Sequence, residues 1–173
     1  MEQLTSQEQQ FVTFLEGHIK LIAKVARAYC RDEEERKDLI QDIITQLWQS
    51  YPKYDNTHAL STWTYRIALN VSISNLRKKT SRHRTYKGYQ QELDSLPIDE
   101  TKVDEKLAQL YQFIEHLKPL DKAIIVLQLE GLGNNDISQI MGMSVSNIST
   151  RKNRIKHELK YYFETSNQGK NEI

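Results

Sequence analysis

The sequence contains few of the residues on which several classes of protein depend. Among its 173 residues there is one cysteine, Cys30, so no internal disulfide can form and no cysteine pair can bind a metal. This cysteine content favours a reducing cytoplasm. No apolar run approaches the roughly 20 residues of a membrane-spanning helix, and the first part of the chain is polar rather than signal-like. The sequence therefore predicts a cytoplasmic protein with no membrane insertion.

The usual signatures of catalysis are also missing. The five histidines are scattered without metal-ligand spacing. There is no glycine-rich phosphate loop, and neither a serine nor a cysteine occurs in a nucleophile motif with histidine. We therefore expect no catalytic residues, no metal and no cofactor, and we predict that the protein is not an enzyme.

Charge is distributed in blocks of opposite sign. The formal net charge is only +1, yet residues 77–87 contain six Lys or Arg and no acid, whereas residues 92–105 contain six acids and one Lys. Local charge is therefore more informative than the total. The basic block is either a solvated helix end or a surface that follows a phosphate backbone.

Apolar periodicity predicts helices throughout, and no strand signal competes with it. Thr5 and Glu8 have the spacing of a capping box ahead of a helix over about 6–30. Asp32 repeats the capping signal before a second helix that should end near Ser50, because Pro52 disfavours helical geometry in the residue before it. A loop over 51–60 then leads to a third helix, for which Ser61 is the expected cap.

The third predicted helix, residues 61–79, carries two different stripes. One is apolar and consists of Tyr65, Leu69, Ile73 and Leu76. The other is aromatic, polar and basic and consists of Trp63, Arg66, Asn70, Ser74 and Arg77. Such a helix suits a planar, anionic ligand, and single-stranded nucleic acid has both properties. Taken alone, however, Trp63 is more often a core aromatic.

The composition divides the chain into two units. Residues 80–101 are polar, lack periodicity and contain Gly88 and Pro97, as expected of a linker. Helical periodicity then resumes and includes a helix that begins after Pro119. We predict an all-α fold with two small helical domains joined by a flexible linker, with domains over 1–80 and 105–165, a linker over 81–104 and a tail over 166–173.

The second unit contains the layout of a helix-turn-helix. A short helix ends at Gly142, and Ser144 is placed to cap a longer helix. A recognition helix needs short polar side chains near its start to approach base edges, and positive charge further along for phosphates. The sequence supplies Ser146, Asn147 and Thr150 for the first role and Arg151, Lys152, Arg154 and Lys156 for the second. The alternative is a helical hairpin with a solvated basic face.

Three segments in this order resemble the extracytoplasmic-function (ECF) sigma factors of bacterial RNA polymerase. They are RDEEERKDLIQDIITQLW, STWTYRIALNVSISNLRKK and, after a linker, GLGNNDISQIMGMSVSNISTRKNRIK. The resemblance implies two helical domains, regions 2 and 4, that bind core RNA polymerase and direct it to promoters. It also implies contact with the clamp helices of the largest subunit and with the flap region, and it allows an anti-sigma factor as a further partner.

The resemblance also assigns candidate site residues. The polymerase-binding candidates are Asp38, Gln41, Asp42 and Gln46. The candidates for the minus-ten element are Tyr54, Asn56, His58, Trp63, Arg66, Asn70, Arg77 and Lys78. The candidates for the minus-thirty-five element are Ser144, Ser146, Asn147, Thr150, Arg151 and Arg154. Ser149 departs from the family, because many relatives have a basic residue at this position.

Two other functions fit the residues less well. One is a helix-turn-helix regulator that binds duplex DNA independently of polymerase and uses residues 1–80 for dimerisation or sensing. The other is an interaction protein with no role at DNA, for which binding should not depend on salt.

Overall fold

A computed structural model describes residues 5–86 and 105–168, with side-chain detail over 5–80 and most of 109–165. Seven α-helices and one 3₁₀ turn account for most of these residues, and no strand occurs within the two described ranges. The all-α prediction is confirmed. The helices are α1 (Ser6–Tyr29), α2 (Glu33–Ser50), α3 (Leu60–Tyr86), α4 (Glu105–His116), α5 (Pro119–Leu129), α6 (Asn134–Met141) and α7 (Val145–Gln168), and the 3₁₀ turn is Tyr51–Lys53.

The predicted caps begin α1 and α2. The main-chain N–H of Thr5 donates to Glu8 Oε2 over 2.6 Å, and the N–H of Glu8 donates back to Thr5 Oγ1. Asp32 Oδ1 accepts from the N–H of Glu35 over 2.9 Å. The expected cap at Ser61 is wrong. Helix α3 already includes Leu60, which packs on the core.

Helices α1, α2 and α3 form the first unit around a shared apolar core. From α3, the predicted stripe contributes Tyr65, Leu69 and Ile73, which are buried, and Leu76, which is half-buried. Ile22, Val25, Leu39, Ile43 and Leu47 complete its interior from the first two helices. Because the apolar face of α3 is used in this core, three members of its second stripe, Asn70, Ser74 and Arg77, are exposed.

Helices α4 to α7 form the second unit, in which α6 and α7 make the predicted helix-turn-helix. Gly142 ends α6 in the left-handed conformation, with a φ of 64°, which favours glycine. Ser144 Oγ then accepts from the N–H of Asn147 over 3.2 Å and caps α7 as predicted. Ile137 and Ile148 are fully buried and hold the two helices together.

The two units pack against each other. Tyr29 donates from its hydroxyl to the Pro119 carbonyl over 2.8 Å, and Lys24 forms an ion pair with Glu130 at 2.8 Å. The buried apolar residues of α1–α3, of α5 and of the helix-turn-helix as far as Ile148 belong to one cluster, whereas Ile155 of α7 packs with α4 in a second one. Glu130 also contacts Tyr65, although burial is the main reason why the pKa of Tyr65 rises to about 12. The interface thus has a buried core with polar contacts at its edge.

Helix α3 is longer than the sequence indicated. It continues to Tyr86, seven residues past the predicted end at Lys79. These last residues are polar and basic, so they lack the apolar periodicity from which a helix is predicted. The remainder of the predicted linker, residues 87–104, lies outside the described residues, as do residues 169–173. The predicted start of the tail at residue 166 is wrong, because α7 continues to Gln168.

Candidate nucleic-acid interface

A polar groove runs along the outside of the first unit between α2 and α3. Its volume is about 630 Å³, and Asp42 and Gln46 line one wall while Asn70 and Lys78 line the other. These four residues come from two different predicted sites, the polymerase-binding set and the minus-ten set. The fold therefore places two residues of each candidate set on facing walls of one groove.

A second groove adjoins the first and shares Asp42 and Asn75 with it. It has a volume of about 410 Å³ and includes the polymerase-binding candidates Asp38 and Gln41. An ion pair of 2.6 Å between Lys79 and Glu35 lies at this end. All four predicted polymerase-binding residues therefore line one continuous, mainly acidic and amide-bearing surface of α2.

The loop that precedes α3 is held by its own polar side chains. The hydroxyl of Tyr54 donates to the His58 carbonyl over 2.5 Å, which closes the loop. Asp55 Oδ1 accepts from both the N–H and the hydroxyl of Thr57, and these hydrogen bonds lower the pKa of the Asp55 carboxyl. Asn56 is exposed and has a φ of 59°. The minus-ten candidates Asn56 and His58 therefore lie on an ordered loop, with Asn56 the more exposed of the two.

Trp63 lies between the loop and the core. Its ring is 5.2 Å from that of Tyr54 and 5.7 Å from that of Phe14, measured between centroids. It is half-buried. The ring therefore contributes to core packing, as the alternative reading of this residue predicted, while an exposed part remains beside the loop.

The other members of the predicted stripe on α3 have different surroundings. Arg66 does not line the groove that contains Asn70; its guanidinium donates to the Gln139 carbonyl of α6 over 3.0 and 2.6 Å. Asn70 and Arg77 are exposed. The predicted face therefore divides into an aromatic end at Trp63, an arginine engaged by the second unit, and an open polar end.

Helix α7, the predicted recognition helix, exposes most of its predicted contacts near its N-terminus. Ser144, Ser146, Asn147 and Thr150 are all exposed. Asn153 and His157, which are not among the predicted contacts, are also exposed and continue the row of Ser146 and Thr150 at spacings of three and four residues. This helical spacing could have identified both residues from the sequence.

Three of the four predicted basic residues of α7 have partners inside the second unit, whereas Lys156 is exposed and forms no ion pair within the described part of the chain. Arg151 and Arg154 form ion pairs with Asp121 at 2.8 and 2.5 Å. Lys152 donates to Asn134 Oδ1 over 2.7 Å and also to Gln128. These contacts fix the positions of the cations and reduce the positive charge that the helix presents.

Within residues 5–86 and 105–168, no three His, Cys, Asp or Glu side chains are grouped as a metal site would require. Within the same ranges, no helix is long and apolar enough to cross a membrane.

Comparison with known proteins assigns both units. The Sigma-70 region 2 family matches residues 14–82, and the Sigma-70 region 4 family matches residues 107–159. An all-helical unit with a polar groove, followed by a helix-turn-helix, is therefore the region 2 and region 4 architecture of a transcription initiation factor.

The individual relatives are sigma factors of RNA polymerase, one of them of the ECF type. The chain is 24% identical to the RNA polymerase sigma factor SigV of Bacillus subtilis (strain 168) over 81% of this chain and 82% of that protein. It is 25% identical to the ECF RNA polymerase sigma factor SigX of the same strain over 72% and 68%. In fold it is similar to the sigma factor RpoE of Bartonella quintana, solved in complex with the anti-sigma factor NepR, with a TM-score of 0.72 at 18% identity over 90% of this chain and 98% of that one.

The chain belongs to the ECF sigma factors of RNA polymerase and directs transcription initiation. Sigma factors are in general not enzymes. The family match thus excludes the independent helix-turn-helix regulator that the sequence alone left open.

Proposed function

We propose that the groove between α2 and α3 is where this sigma factor meets both the polymerase and the melted promoter. One observation carries the proposal: Asp42 and Gln46 of the polymerase-binding set face Asn70 and Lys78 of the minus-ten set across that groove. A clamp helix that docks on α2 would lie beside a strand held by α3. Binding of the polymerase and capture of the strand would therefore support each other.

In this proposal the minus-ten element is bound in two parts. The loop residues Tyr54, Asn56 and His58, with the exposed part of Trp63, hold an unstacked base of the non-template strand. Asn70, Arg77 and Lys78 follow the strand along α3, and Arg66 joins them when its guanidinium leaves the Gln139 carbonyl. A flipped base costs a few kcal/mol, and stacking returns about 1 to 3 kcal/mol per base, so one small domain captures melted DNA better than it melts a duplex.

The second unit would anchor the protein upstream. Ser144, Ser146, Asn147, Thr150, Arg151 and Arg154 are proposed to contact the minus-thirty-five element in the major groove, with the N-terminus of α7 towards the base edges. The exposed row supports this, and it adds Asn153 and His157 as candidates. The flap region of core polymerase is the proposed protein partner of this unit.

The remaining parts of the proposal concern partners and location. We assign no catalytic activity, no cofactor and a cytoplasmic location to the protein. The similarity to RpoE, whose structure contains NepR, supports an anti-sigma factor as a regulatory partner. Residues 1–80 and 105–165 are proposed as the two functional domains; of the predicted linker over 81–104, residues 81–86 belong to α3 and residues 87–104 are proposed as the linker.

The first test is reconstitution. The protein is added to core polymerase, the mixture transcribes genomic DNA fragments, and the transcripts are sequenced to identify promoters. We expect a defined set of start sites that core polymerase alone does not produce. If the two proteins do not co-elute on a sizing column, the proposed assembly is wrong.

The second test distinguishes the roles of the two walls of the groove. Asn70→Ala should lower open-complex formation, seen by permanganate reactivity of unpaired thymines, while co-elution with core polymerase is unchanged. Asp42→Ala should weaken co-elution instead. Ser74→Ala, a change at another exposed residue of the same groove, is the matched control. If Asn70→Ala lowered open-complex formation and co-elution equally, the α3 wall would not be specific for DNA, and the proposed division of roles would be wrong.

A further inference from the structure

Asp121 is a buried carboxylate in the first turn of α5. It is the third residue of α5, and its side chain is only 4% exposed. Its two oxygens accept from different arginines of the recognition helix: Oδ1 from Nη1 of Arg151 over 2.8 Å and Oδ2 from Nη2 of Arg154 over 2.5 Å. One carboxylate therefore holds two guanidiniums that are three residues apart on α7.

The two arginines keep further donors available. Arg151 uses Nε to donate to Asn147 Oδ1 over 3.1 Å, and its Nη2 makes no hydrogen bond within the described part of the chain. Arg154 is 47% exposed and has a weaker contact of 3.6 Å to Glu158. Since a guanidinium has five N–H donors in a rigid fork, one edge can bind Asp121 while another contacts DNA.

The carboxylate has two physical consequences for DNA binding. It fixes the orientation of both forks before DNA arrives, which lowers the entropic cost of a directed contact with a base edge. It also cancels one of the two positive charges, which lowers the attraction to phosphates of any sequence. Both effects favour discrimination between sequences over general affinity.

We propose that Asp121 is a positioning residue that sets the sequence discrimination of the minus-thirty-five helix through Arg151 and Arg154. This inference rests on the proposed role of α7 in contacting the minus-thirty-five element. The competing explanation is a purely structural tie between α5 and α7, which would affect stability but not the choice of sequence.

The test uses the full chain bound to core polymerase and a pool of DNA duplexes with a randomised upstream element. The wild type and Asp121→Asn each select duplexes, which are sequenced. Affinity is then measured against salt for a wild-type-selected duplex and for a scrambled one. Glu158→Gln removes the exposed partner of Arg154 and is the matched control.

We expect Asp121→Asn to lower the ratio of selected to scrambled affinity about tenfold, because one bidentate base contact is worth that much. Its salt slope on the scrambled duplex should become steeper by about 0.9, the value for one added phosphate contact. Glu158→Gln should keep the wild-type motif. An unchanged motif and slope in folded Asp121→Asn would overturn the inference.

Asp121→Glu covers the case in which the asparagine variant does not fold, judged by circular dichroism. It keeps the charge but moves it by one methylene, so we expect an altered motif with an unchanged salt slope. The wild-type motif in Asp121→Glu would count against a positioning role. If wild-type holoenzyme selects no upstream motif, or Arg151→Ala with Arg154→Ala leaves the motif intact, the assignment of α7 itself fails, and with it this inference.

Discussion

The guanidinium of Arg66 on α3 donates two hydrogen bonds to the main-chain carbonyl of Gln139 on α6, 3.0 Å from Nε and 2.6 Å from Nη2. Gln139 lies in the last turn of α6, where carbonyl groups lack partners within the helix and the helix dipole is negative. Arg66 therefore caps the first helix of the helix-turn-helix from the other unit. The N–H groups that hold this carbonyl cannot bind a DNA strand at the same time.

Arg66→Ala should loosen the contact between the two units. Two charge-assisted hydrogen bonds to an otherwise unpaired carbonyl are lost, at a cost of about 1.5 to 3 kcal/mol. We expect a larger radius of gyration by small-angle scattering of the free protein. Arg77→Ala, at an exposed arginine of the same helix, is the control. If the two variants scatter alike, Arg66 does not hold the units together.

Asn56 offers a way to separate backbone conformation from DNA contact. Its φ of 59° is in the left-handed region, where alanine costs about 1 to 2 kcal/mol and glycine adopts the conformation without strain. Asn56→Ala should therefore disturb the loop, whereas Asn56→Gly keeps its shape and removes only the amide. The measurement is affinity of the reconstituted holoenzyme for a promoter fragment with an unpaired minus-ten element. Loss of affinity in both variants would support a contact between the Asn56 amide and DNA. Normal affinity in Asn56→Gly would mean that Asn56 only sets the shape of the loop.

Local features of this fold were predictable because their causes are local. The capping pair Thr5 and Glu8, the turn at Gly142 and the apolar stripe of α3 each depend on residues within a few positions of one another. Their side-chain chemistry determines the geometry directly. The same is true of the division into a helical unit and a helix-turn-helix.

Long-range contacts were not predictable in this way. Arg66 is 73 residues from Gln139, and Asp121 is 30 residues from Arg151. No periodicity or spacing relates such pairs, and only packing of the completed helices brings them together. The candidate site was consequently predicted as a set of residues, while the partners that orient its arginines became visible only in the structure.

Lys122 should make the stability of the protein depend on pH. Burial lowers the pKa of its ammonium below the ordinary 10.5, with Glu115 opposing the shift. Between the lowered value and 10.5 the unfolded chain binds more protons, so stability rises with pH through this window. Lys122→Met removes the buried charge and should raise the free energy of unfolding at pH 7, with a smaller gain at pH 10. Urea unfolding at both pH values measures this, with Lys118→Met, at an exposed neighbour, as the control. A gain that is equal at both pH values would contradict the assigned cause.

Lys78 and Lys79 should differ in their contribution to strand binding although they are adjacent. Lys78 is exposed on the wall of the groove and forms no ion pair within the described part of the chain, whereas Lys79 is paired with Glu35 at 2.6 Å. A phosphate must displace Glu35 to reach Lys79, but it meets Lys78 directly.

With each variant bound to core polymerase, we expect Lys78→Ala to reduce the salt slope for a single-stranded oligothymidylate by about 0.7, the value for one phosphate contact. Lys79→Ala should change the slope less. If Lys79→Ala reduced the salt slope more than Lys78→Ala, the strand would follow the Glu35 end of the groove.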